Sequence, residues 1–489
     1  MNTKSLFNQP TSAIEAGYQY LSCHRSDGWH SSIALDEQFQ NSLSLNAIAS
    51  HKFSDNIWSQ EVIQALENKL GCDLATENFT EMLALKFLPS STLPTANADI
   101  AQLRRLWMHH VRTQGLLNEK CWRFLFFNTK NFAADTDCTG VALTGLYDAQ
   151  EINDDQLIEG VRELLSSAAV NDLSANANQI ANKKNQGRLS KGVFKTYFED
   201  QKFVNYQKNG SLEPQSGAAF RGCKHDPAVV ANAMIPILKA LQTQKLQLDE
   251  IIQLDEYAPP PSSQDWRTSK PHNRVNRVTV REIMAANWEY IANHLPQAEN
   301  GTRYYPYMET FLCFLSELFW AFPAETSAAI NHQLFKTKIV DVLKSPLPTN
   351  SVRLAQIIIA ADNYNASTAI IGDKIPLAVI QNAKALLLKS IKPDGSWPVA
   401  PFYTLGTDRK IYFGSAAIST IFAIRALAGP PVDRLFKNEA VAVEPHFSNR
   451  KVSNAHHNVI TSERNSTLPT LQISFRRYRR RSTEKSLRN

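Results

Sequence analysis

The stretch Asp135-Thr136-Asp137-Cys138-Thr139-Gly140 places two carboxyl groups and a thiol at the start of an apolar helical run that continues with Val141-Ala142-Leu143. Burial of a carboxyl group removes its hydration and raises its pKa, and a second carboxyl nearby raises it further by like-charge repulsion. The stretch therefore has the residues that a buried proton donor needs.

A simpler role for Asp137 is also open, because Asp is a favoured N-cap residue at the start of a helix. The dipole at a helix N-terminus lowers the pKa of a carboxyl group there, which opposes a role as an acid. A working acid at Asp137 would need the like charge of Asp135 and burial among aromatic side chains. The sequence alone leaves both roles standing.

Two segments, 23–29 and 390–397, end in Asp-Gly turns that are followed by Trp29 and Trp397. Asp-Gly favours a tight turn, and a Trp after it can pack over the end of the preceding helix while its N–H finds an acceptor. Both segments follow an amphipathic helix, so this pattern predicts contacts that hold an outer helix in place.

Apolar residues are arranged in two alternating ways along the chain. Runs that are apolar on nearly every side indicate inner helices, and runs with one apolar stripe indicate outer helices. The inner candidates are 38–50, 138–149, 227–242, 306–321, 352–363 and 413–428. The outer candidates are 56–70, 154–168, 279–295, 327–344 and 376–391, with another from 98–114 or the N-terminus. No convincing strand alternation is present.

This alternation predicts an all-α fold, an α/α toroid of about six inner and six outer helices over residues 12–428. Residues 429–489 are predicted to form a basic, disordered tail. The segment from Lys437 onward holds eleven Lys and Arg and four Asp and Glu, a net charge of +7, so the rest of the chain carries −1. The alternative for the tail is electrostatic docking to an anionic membrane surface.

In a toroid with outer return helices, the inner helices run parallel and their N-termini meet at one rim. We therefore expect residues at those starts to converge with Asp137 and to bind substrate, with aromatic ring faces able to stabilise a cation. The candidate substrate-binding residues are Asp226, Trp122, Tyr304, Tyr305, Trp397, Tyr412 and Phe413.

The 135–139 stretch resembles the DxDD acid motif of class II terpene cyclases and the Asp-Cys-Thr-Ala motif of oxidosqualene cyclases. Cys138 stands where DxDD has its last Asp, which is closer to the Asp-Cys variant. The two Trp segments resemble, without the Gln, the Gln-Trp repeats of squalene cyclases and prenyltransferase β-subunits. The chain is thus similar to squalene-hopene and oxidosqualene cyclase-like proteins of the prenyltransferase and squalene oxidase repeat superfamily.

The resemblance implies an enzyme of isoprenoid biosynthesis, an isomerase or lyase that cyclises a polyprenyl substrate after protonating it. It implies that Asp137 is the general acid, that Cys138 donates a hydrogen bond to Asp137, and that Asp135 helps to raise the pKa of Asp137. Two alternatives stay open, because a fold does not decide a function. One is a glycoside hydrolase or polysaccharide lyase toroid with Asp137 and Asp226 as its carboxylate pair, and the other is a non-catalytic scaffold.

Metal ligands are not predicted. The chain lacks an Asp-Asp-x-x-Asp motif, and Cys223-Lys224-His225 has no second ligand pair at metal spacing. Mg²⁺ is expected only if the substrate carries a diphosphate.

The six cysteines are scattered, and the N-terminus shows no apolar signal region. These features predict a cytoplasmic protein, membrane-associated only through its tail, with no nucleic-acid partner.

Overall fold

Helices make up most of the computed structural model. It describes residues 9–23, 32–35, 76–88, 98–128, 133–169, 191–198, 225–254, 276–367, 373–404 and 411–431. The α-helices of these residues are, in chain order, α1 (Pro10–Cys23), α2 (Phe79–Phe87), α3 (Ala98–His110), α4 (Thr136–Asp148), α5 (Asp154–Ser166), α6 (Pro227–Gln242), α7 (Val280–His294), α8 (Met308–Ala321), α9 (Pro323–Ala329), α10 (His332–Lys344), α11 (Ser351–Ala366), α12 (Leu377–Lys389) and α13 (Ala416–Ala428).

Six of the described helices form a closed inner ring. In the order α2, α4, α6, α8, α11 and α13, each packs against the next, and α13 packs back against α2. These helices are buried on nearly every side, and in α2 all residues from Phe79 to Phe87 are buried. The apolar residues around their whole circumference are what a helix enclosed by neighbours requires.

The outer helices cover this ring with one apolar stripe each. α1 packs on α13, α3 on α2, α5 on α4 and α6, α7 on α6, α10 on α11, and α12 on α11 and α13. In α5 the buried residues include Leu157, Ile158, Val161, Leu164 and Leu165, at the three- and four-residue spacing of one helical face. A capping box begins α7, since Thr279 and Glu282 each accept a hydrogen bond from the other's backbone N–H.

Hydrogen bonds join α8 and α11 at their starts and α4 and α6 at their ends, which shows that the two helices of each pair run parallel. Arg353 at the start of α11 donates to Glu309 at the start of α8 over 2.7 Å. Lys239 near the end of α6 donates to Asp148 at the end of α4 over 2.6 Å. The described chain is therefore an all-α toroid, as predicted, and its inner helices begin at one rim.

The predicted inner helices at 138–149, 227–242, 306–321 and 352–363 are confirmed as α4, α6, α8 and α11. The last one, predicted at about 413–428, is confirmed as α13, which begins at Ala416 after the strand β8. Both candidates for a further outer helix exist, as α1 and α3. The sequence analysis missed α2. The predicted helices at 38–50 and 56–70 lie outside the described residues, as does nearly all of the predicted tail.

Short strands, which the sequence analysis did not predict, form antiparallel sheets among the described residues. They are β1 (Ser32–Leu35), β2 (Leu116–Asn118), β3 (Cys121–Leu125), β4 (Ala134–Asp135), β5 (Ile251–Leu254), β6 (Asn276–Thr279), β7 (Tyr403–Thr404) and β8 (Ile411–Gly414). The sheet orders are β1-β8-β7, β2-β3-β4 and β5-β6. Strands of two to five residues are too short for an alternating pattern to stand out. Two of them, β4 and β8, lead directly into the inner helices α4 and α13.

The Asp394-Gly395-Ser396-Trp397 turn ties α12 to the ring, which confirms its predicted structural role. The indole N–H of Trp397 donates to the carbonyl of Leu387 in α12 over 2.9 Å, and its ring is fully buried. Asp394 accepts hydrogen bonds from the N–H and the hydroxyl of Ser396. Trp397 is thus engaged in packing between helices, in contrast to the substrate-binding role predicted for it. The similar segment that ends in Trp29 lies outside the described residues.

No helix among the described residues is long and apolar enough to cross a membrane.

We expect Gly395→Ala to destabilise the protein more than Gly429→Ala. Both glycines have positive φ, +85° and +78°, where alanine costs about 1–3 kcal/mol. A Cβ at Gly395 would also lie 2.4 Å from the carbonyl oxygen of Ala16 in α1, whereas a Cβ at Gly429 would meet no atom within 4 Å. Urea unfolding of both variants measures the difference, and equal losses would show that the contact with α1 does not contribute.

Candidate active site

Asp135 is the residue that caps α4. Its side-chain oxygen accepts a hydrogen bond of 2.6 Å from the backbone N–H of Cys138. Pairing of Asp135 with Phe124 in β3, and a 2.6 Å hydrogen bond from the Thr136 hydroxyl to the Lys195 carbonyl, fix the strand that leads into the helix. Asp135 therefore has the capping role that was considered for Asp137. The carboxyl group of Asp137 instead forms hydrogen bonds with residues outside α4.

Two inner-ring partners hold the carboxyl group of Asp137. The side-chain amide of Asn232 in α6 donates to Oδ1 over 2.7 Å, and the hydroxyl of Tyr305, just before α8, donates to Oδ2. Gly140 allows α4 and α6 to approach closely, because a Cβ there would lie 2.9 Å from the backbone of Ala233. The rim thus brings Asp137 and Tyr305 together, as the sequence analysis predicted.

Lys86 of α2 extends this group of polar side chains. Its fully buried ammonium lies 2.5 Å from Oδ1 of Asn232. It also lies 5.2 Å from the ring centres of Phe87 and Phe314, within the range of a cation–π interaction. Lys86, Asn232, Asp137 and Tyr305 form a continuous buried chain of hydrogen bonds, which we call the polar chain.

Burial raises the pKa of Asp137 to about 6. The hydrogen bonds from Tyr305 and Asn232 favour the ionised form and limit this rise, as does the positive charge of Lys86, whereas the charge of Asp226 adds to it. Near neutral pH, part of the Asp137 population therefore carries a proton in a site away from water.

Asp135 holds its proton more tightly than Asp137 does. Burial, and then the negative charge of Asp137, raise the pKa of Asp135 to about 8. Because Asp137 has two hydrogen-bond donors on its carboxylate, it ionises first, and its charge keeps the proton on Asp135. Asp137 thus raises the pKa of Asp135, whereas the predicted effect of Asp135 on the pKa of Asp137 stays a prediction.

The predicted hydrogen bond from Cys138 to Asp137 is replaced by those from Asn232 and Tyr305. Cys138 is fully buried and interacts with Asp135, and burial raises the pKa of its thiol well above the usual value. A buried neutral thiol next to Asp135 adds no charge to the site. The catalytic roles of Asp137, Asp135 and Cys138 themselves stay predictions.

An aromatic cluster adjoins the polar chain at Tyr305. The Tyr305 ring lies 5.4 Å from both Phe314 and Phe402, edge-on to the former. Phe402 lies 5.2 Å from Phe422 and 5.8 Å from Tyr403, which in turn stacks on Phe413 at 4.9 Å. The face of an aromatic ring carries π-electron density, which attracts a positive charge. The members of the aromatic cluster are Tyr305, Phe314, Phe402, Tyr403, Phe413 and Phe422.

The carboxylate of Asp226 links the start of α6 to the segment before α8 by hydrogen bonds, one of them from Tyr304. One oxygen of Asp226 accepts from the backbone N–H groups of Ala228 and Val229, and the other accepts from that of Tyr304 over 2.9 Å. Asp226 is fully buried. Its carboxylate accepts hydrogen bonds from the protein backbone, and the substrate-binding role predicted for it stays a prediction.

Trp122 lies in β3, which pairs with β4 just before the start of α4. Its indole N–H donates to Glu159 of the outer helix α5 over 2.8 Å, and its ring lies 4.9 Å from the guanidinium of Arg112. The Trp122 side chain is thus bonded to the outer layer, and its role in binding substrate stays a prediction. Tyr412 pairs through its backbone with Thr404 and Ala34 in the β7-β8-β1 sheet, and its side chain lies outside the description.

Asn232 and Lys86 were missed by the sequence analysis. Each is a single polar residue inside an apolar run, Ala-Val-Val-Ala-Asn-Ala-Met at 228–234 and Met-Leu-Ala-Leu-Lys-Phe-Leu at 82–88. Such a residue in an inner helix is buried and must have a polar partner. The isolated polar position is therefore the signal that could have identified both.

Across the described ranges, no three or more His, Cys, Asp or Glu side chains are grouped so that they could hold a metal ion.

No family model matches the sequence, and no curated protein matches it. Solved structures with a similar course of the chain include a protein from Actinoplanes, with 12% identity and a TM-score of 0.49, over 86% of this chain and 98% of that chain. The type II terpene cyclase MstE from Scytonema has 11% identity and a TM-score of 0.44, over 86% and 98% of the two chains. A variant of MstE in complex with its product merosterolic acid A has 12% identity and a TM-score of 0.46, over 86% and 97%.

We expect Asp135→Asn to stabilise the protein relative to the wild type increasingly as pH rises. The folded pKa of Asp135, about 8, lies above its ordinary value of 3.8, so stability from this group is present below about pH 4 and is lost as pH rises to about 8. Asn keeps the cap but does not ionise, so the variant should gain on the wild type by about 1.4 kcal/mol per pH unit between these limits, which is several kcal/mol in all.

Chemical unfolding at pH 4.5, 6 and 8 measures this effect, and Asp135→Ala serves as the control. Ala loses the cap and should cost about 1 kcal/mol relative to Asn at each pH. A constant difference between the wild type and Asp135→Asn across the range would show that the Asp135 carboxyl group is not held protonated in the folded protein.

Proposed function

We propose that the protein is a class II terpene cyclase-like enzyme, in which Asp137 protonates a polyprenyl substrate and so starts its cyclisation. The observation that carries this proposal is the position of Asp137, a buried carboxyl group of raised pKa beside the aromatic cluster. Titratable groups with strongly perturbed pKa values and specific partners are characteristic of active sites.

In the proposed reaction, the carboxyl group of Asp137 transfers its proton to a terminal alkene carbon or to an epoxide oxygen of the substrate. In an alkene the π electrons form the new C–H bond, and a carbocation develops on the other carbon of the double bond. In an epoxide an oxygen lone pair forms the new O–H bond, the C–O bond to the more substituted carbon breaks with its electron pair going to oxygen, and the carbocation develops on that carbon. Attack by the next double bond of the chain closes the first ring. The remaining carboxylate keeps the two electrons of its broken O–H bond.

The polar chain fits this step because it stabilises the carboxylate that the reaction leaves behind. Tyr305 and Asn232 donate to its two oxygens, and the charge of Lys86 lies one residue further away. Donors already aligned to a charge that develops during a reaction lower its barrier without reorganisation. Burial raises the pKa of Tyr305 well above its usual value, so this hydroxyl keeps its proton and continues to donate.

The aromatic cluster supplies the second requirement, an environment that tolerates a carbocation. Ring faces attract a positive charge but do not react with it as a water molecule or a carboxylate would. Phe402 and Phe314 contact Tyr305 directly, so the rings begin where the proton is held. In this proposal, a base or water quenches the final cation.

The alternative of a glycoside hydrolase or polysaccharide lyase is less well supported. Its proposed second carboxylate, Asp226, accepts three backbone N–H groups and is buried, so it is not placed to act as a nucleophile or a base. A pure scaffold is also less well supported, because a buried Lys and Asp are costly to desolvate and a scaffold would gain little from them.

The substrate, the metal ion, the membrane contact and the location of the protein are parts of the same proposal. We propose a polyprenyl substrate, with Mg²⁺ entering only if that substrate carries a diphosphate, and we assign no residue to the ion. Docking of the basic tail to a membrane surface and a cytoplasmic location are proposals on the same footing.

We expect Asp137→Asn to abolish cyclisation while the protein stays folded. An amide cannot supply the proton, and loss of general acid catalysis should lower the rate by at least about 10²–10⁴. Asn keeps an oxygen that can accept from Asn232 or Tyr305, so the unfolding midpoint should change little. Purified proteins incubated with geranylgeranyl diphosphate, farnesyl diphosphate and squalene, followed by mass spectrometry of extracts, measure the activity.

The matched control is Asp155→Asn, which makes the same chemical change at a side chain that is 77% exposed on α5. It should keep full activity. Cyclisation by Asp137→Asn at the wild-type rate would overturn the assignment of the acid.

A further inference from the structure

Lys86 is an unusual residue for its position. It lies in the inner helix α2, its side chain is 0% exposed, and its neighbours in sequence are apolar. Placing an ammonium group away from water costs free energy unless partners compensate for its lost hydration. Here the compensation comes from the Asn232 oxygen at 2.5 Å and from the rings of Phe87 and Phe314.

The contact with Lys86 determines which way the Asn232 amide faces. An Asn side chain has an acceptor oxygen on one side and a donor NH₂ on the other, and rotation by half a turn exchanges them. An ammonium group can only donate, so it draws the amide oxygen toward α2. The NH₂ group must then face α4, where it donates to Asp137 over 2.7 Å. With the opposite orientation, the amide oxygen would face the Asp137 carboxylate.

We propose that Lys86 is a positioning residue, which locks the Asn232 amide with its N–H toward Asp137 and so holds this carboxyl group ready to release its proton. The role in catalysis rests on the proposed function, whereas the orientation of the amide does not. Lys86 acts through Asn232, because its ammonium group donates to the amide oxygen of Asn232.

The other charged and titratable groups near Asp137 come from each element packed around it. They are Tyr305 from the segment before α8, Asp226 from the start of α6, and Asp135 and Cys138 from the start of α4 itself. Of these groups and Lys86, Lys86 alone brings a positive charge. Removing it both frees the amide and removes that charge, and both changes favour the protonated form of Asp137.

The test compares Lys86→Met with Lys239→Met. Methionine keeps the length and apolar packing of the lysine stem but has no ammonium. Lys239 is the matched control, because it is also buried in an inner helix and bonded to a side chain, Asp148, but at the opposite end of the ring. The protonation of Asp137 is followed by infrared difference titration of its carboxyl band, which Asp137→Asn identifies by removing it.

In Lys86→Met we expect the midpoint of the Asp137 titration to rise by about one pH unit or more. We expect kcat to fall about tenfold or more, with its pH profile shifted in the same direction, while KM changes by less than about twofold. Lys239→Met should leave the midpoint and the pH profile unchanged. A folded Lys86→Met protein with the wild-type midpoint and pH profile would overturn the proposal.

Two further measurements cover the cases in which Lys86→Met does not fold or the wild-type protein is inactive. If Lys86→Met does not fold, Lys86→Gln replaces it, since its neutral amide fills a similar volume and can present either its donor or its acceptor to Asn232. An unchanged midpoint in that variant would also overturn the proposal. If the wild-type protein shows no cyclisation, the proposed function fails, but the infrared titration still decides whether Lys86 lowers the pKa of Asp137.

Discussion

The hydrogen bonds that meet at the carboxyl group of Asp137 join the first part of the inner ring into one unit. Through Asn232, Tyr305 and Lys86, this carboxyl group links α4 to α6, to the segment before α8 and to α2. None of these buried polar groups can be satisfied by bulk water, so each depends on the position of the others. The ring must therefore close with its inner helices parallel and in register for the polar chain to exist at all.

The opposite end of the ring is held by a second buried polar group with a different character. Arg425 of α13 donates to Asn363 of α11 over 2.9 Å and to Glu317 of α8 over 3.3 Å, and Asn363 donates to Glu317 over 2.6 Å. This group pairs an arginine with a glutamate and is neutral overall, which suits a structural role. The rim end instead carries two close carboxyl groups and aromatic rings. The two ends of the ring therefore differ: one carries the ion pair of Arg425 and Glu317, and the other carries the carboxyl group that we propose as the proton donor.

The layered helical fold could be predicted from the sequence because the inner and outer helices differ in how many of their sides are apolar. The partners of Asp137 could not be predicted in this way, since Asn232 lies 95 residues away along the chain and Tyr305 lies 168 residues away. Tyr305 was expected at the rim on grounds of helix direction alone. The nine residues of α2 were too few to recognise against a long polar flank. The hydrogen bonds of Trp122 and Trp397 to outer helices could not be predicted as partners, because large aromatic residues pack between helices as readily as they line a site.

The central claim is that a proton held at Asp137 enters the substrate. It is tested most directly by incubating the purified protein with its polyprenyl substrate in D₂O and locating deuterium in the product by mass spectrometry and NMR. With an alkene substrate, initiation by Asp137 predicts one deuterium on the CH carbon of the former terminal double bond, and a diphosphate, if present, that is retained. A cyclised product from an alkene substrate that carries no deuterium, or that has lost its diphosphate with the terminal alkene intact, would contradict it.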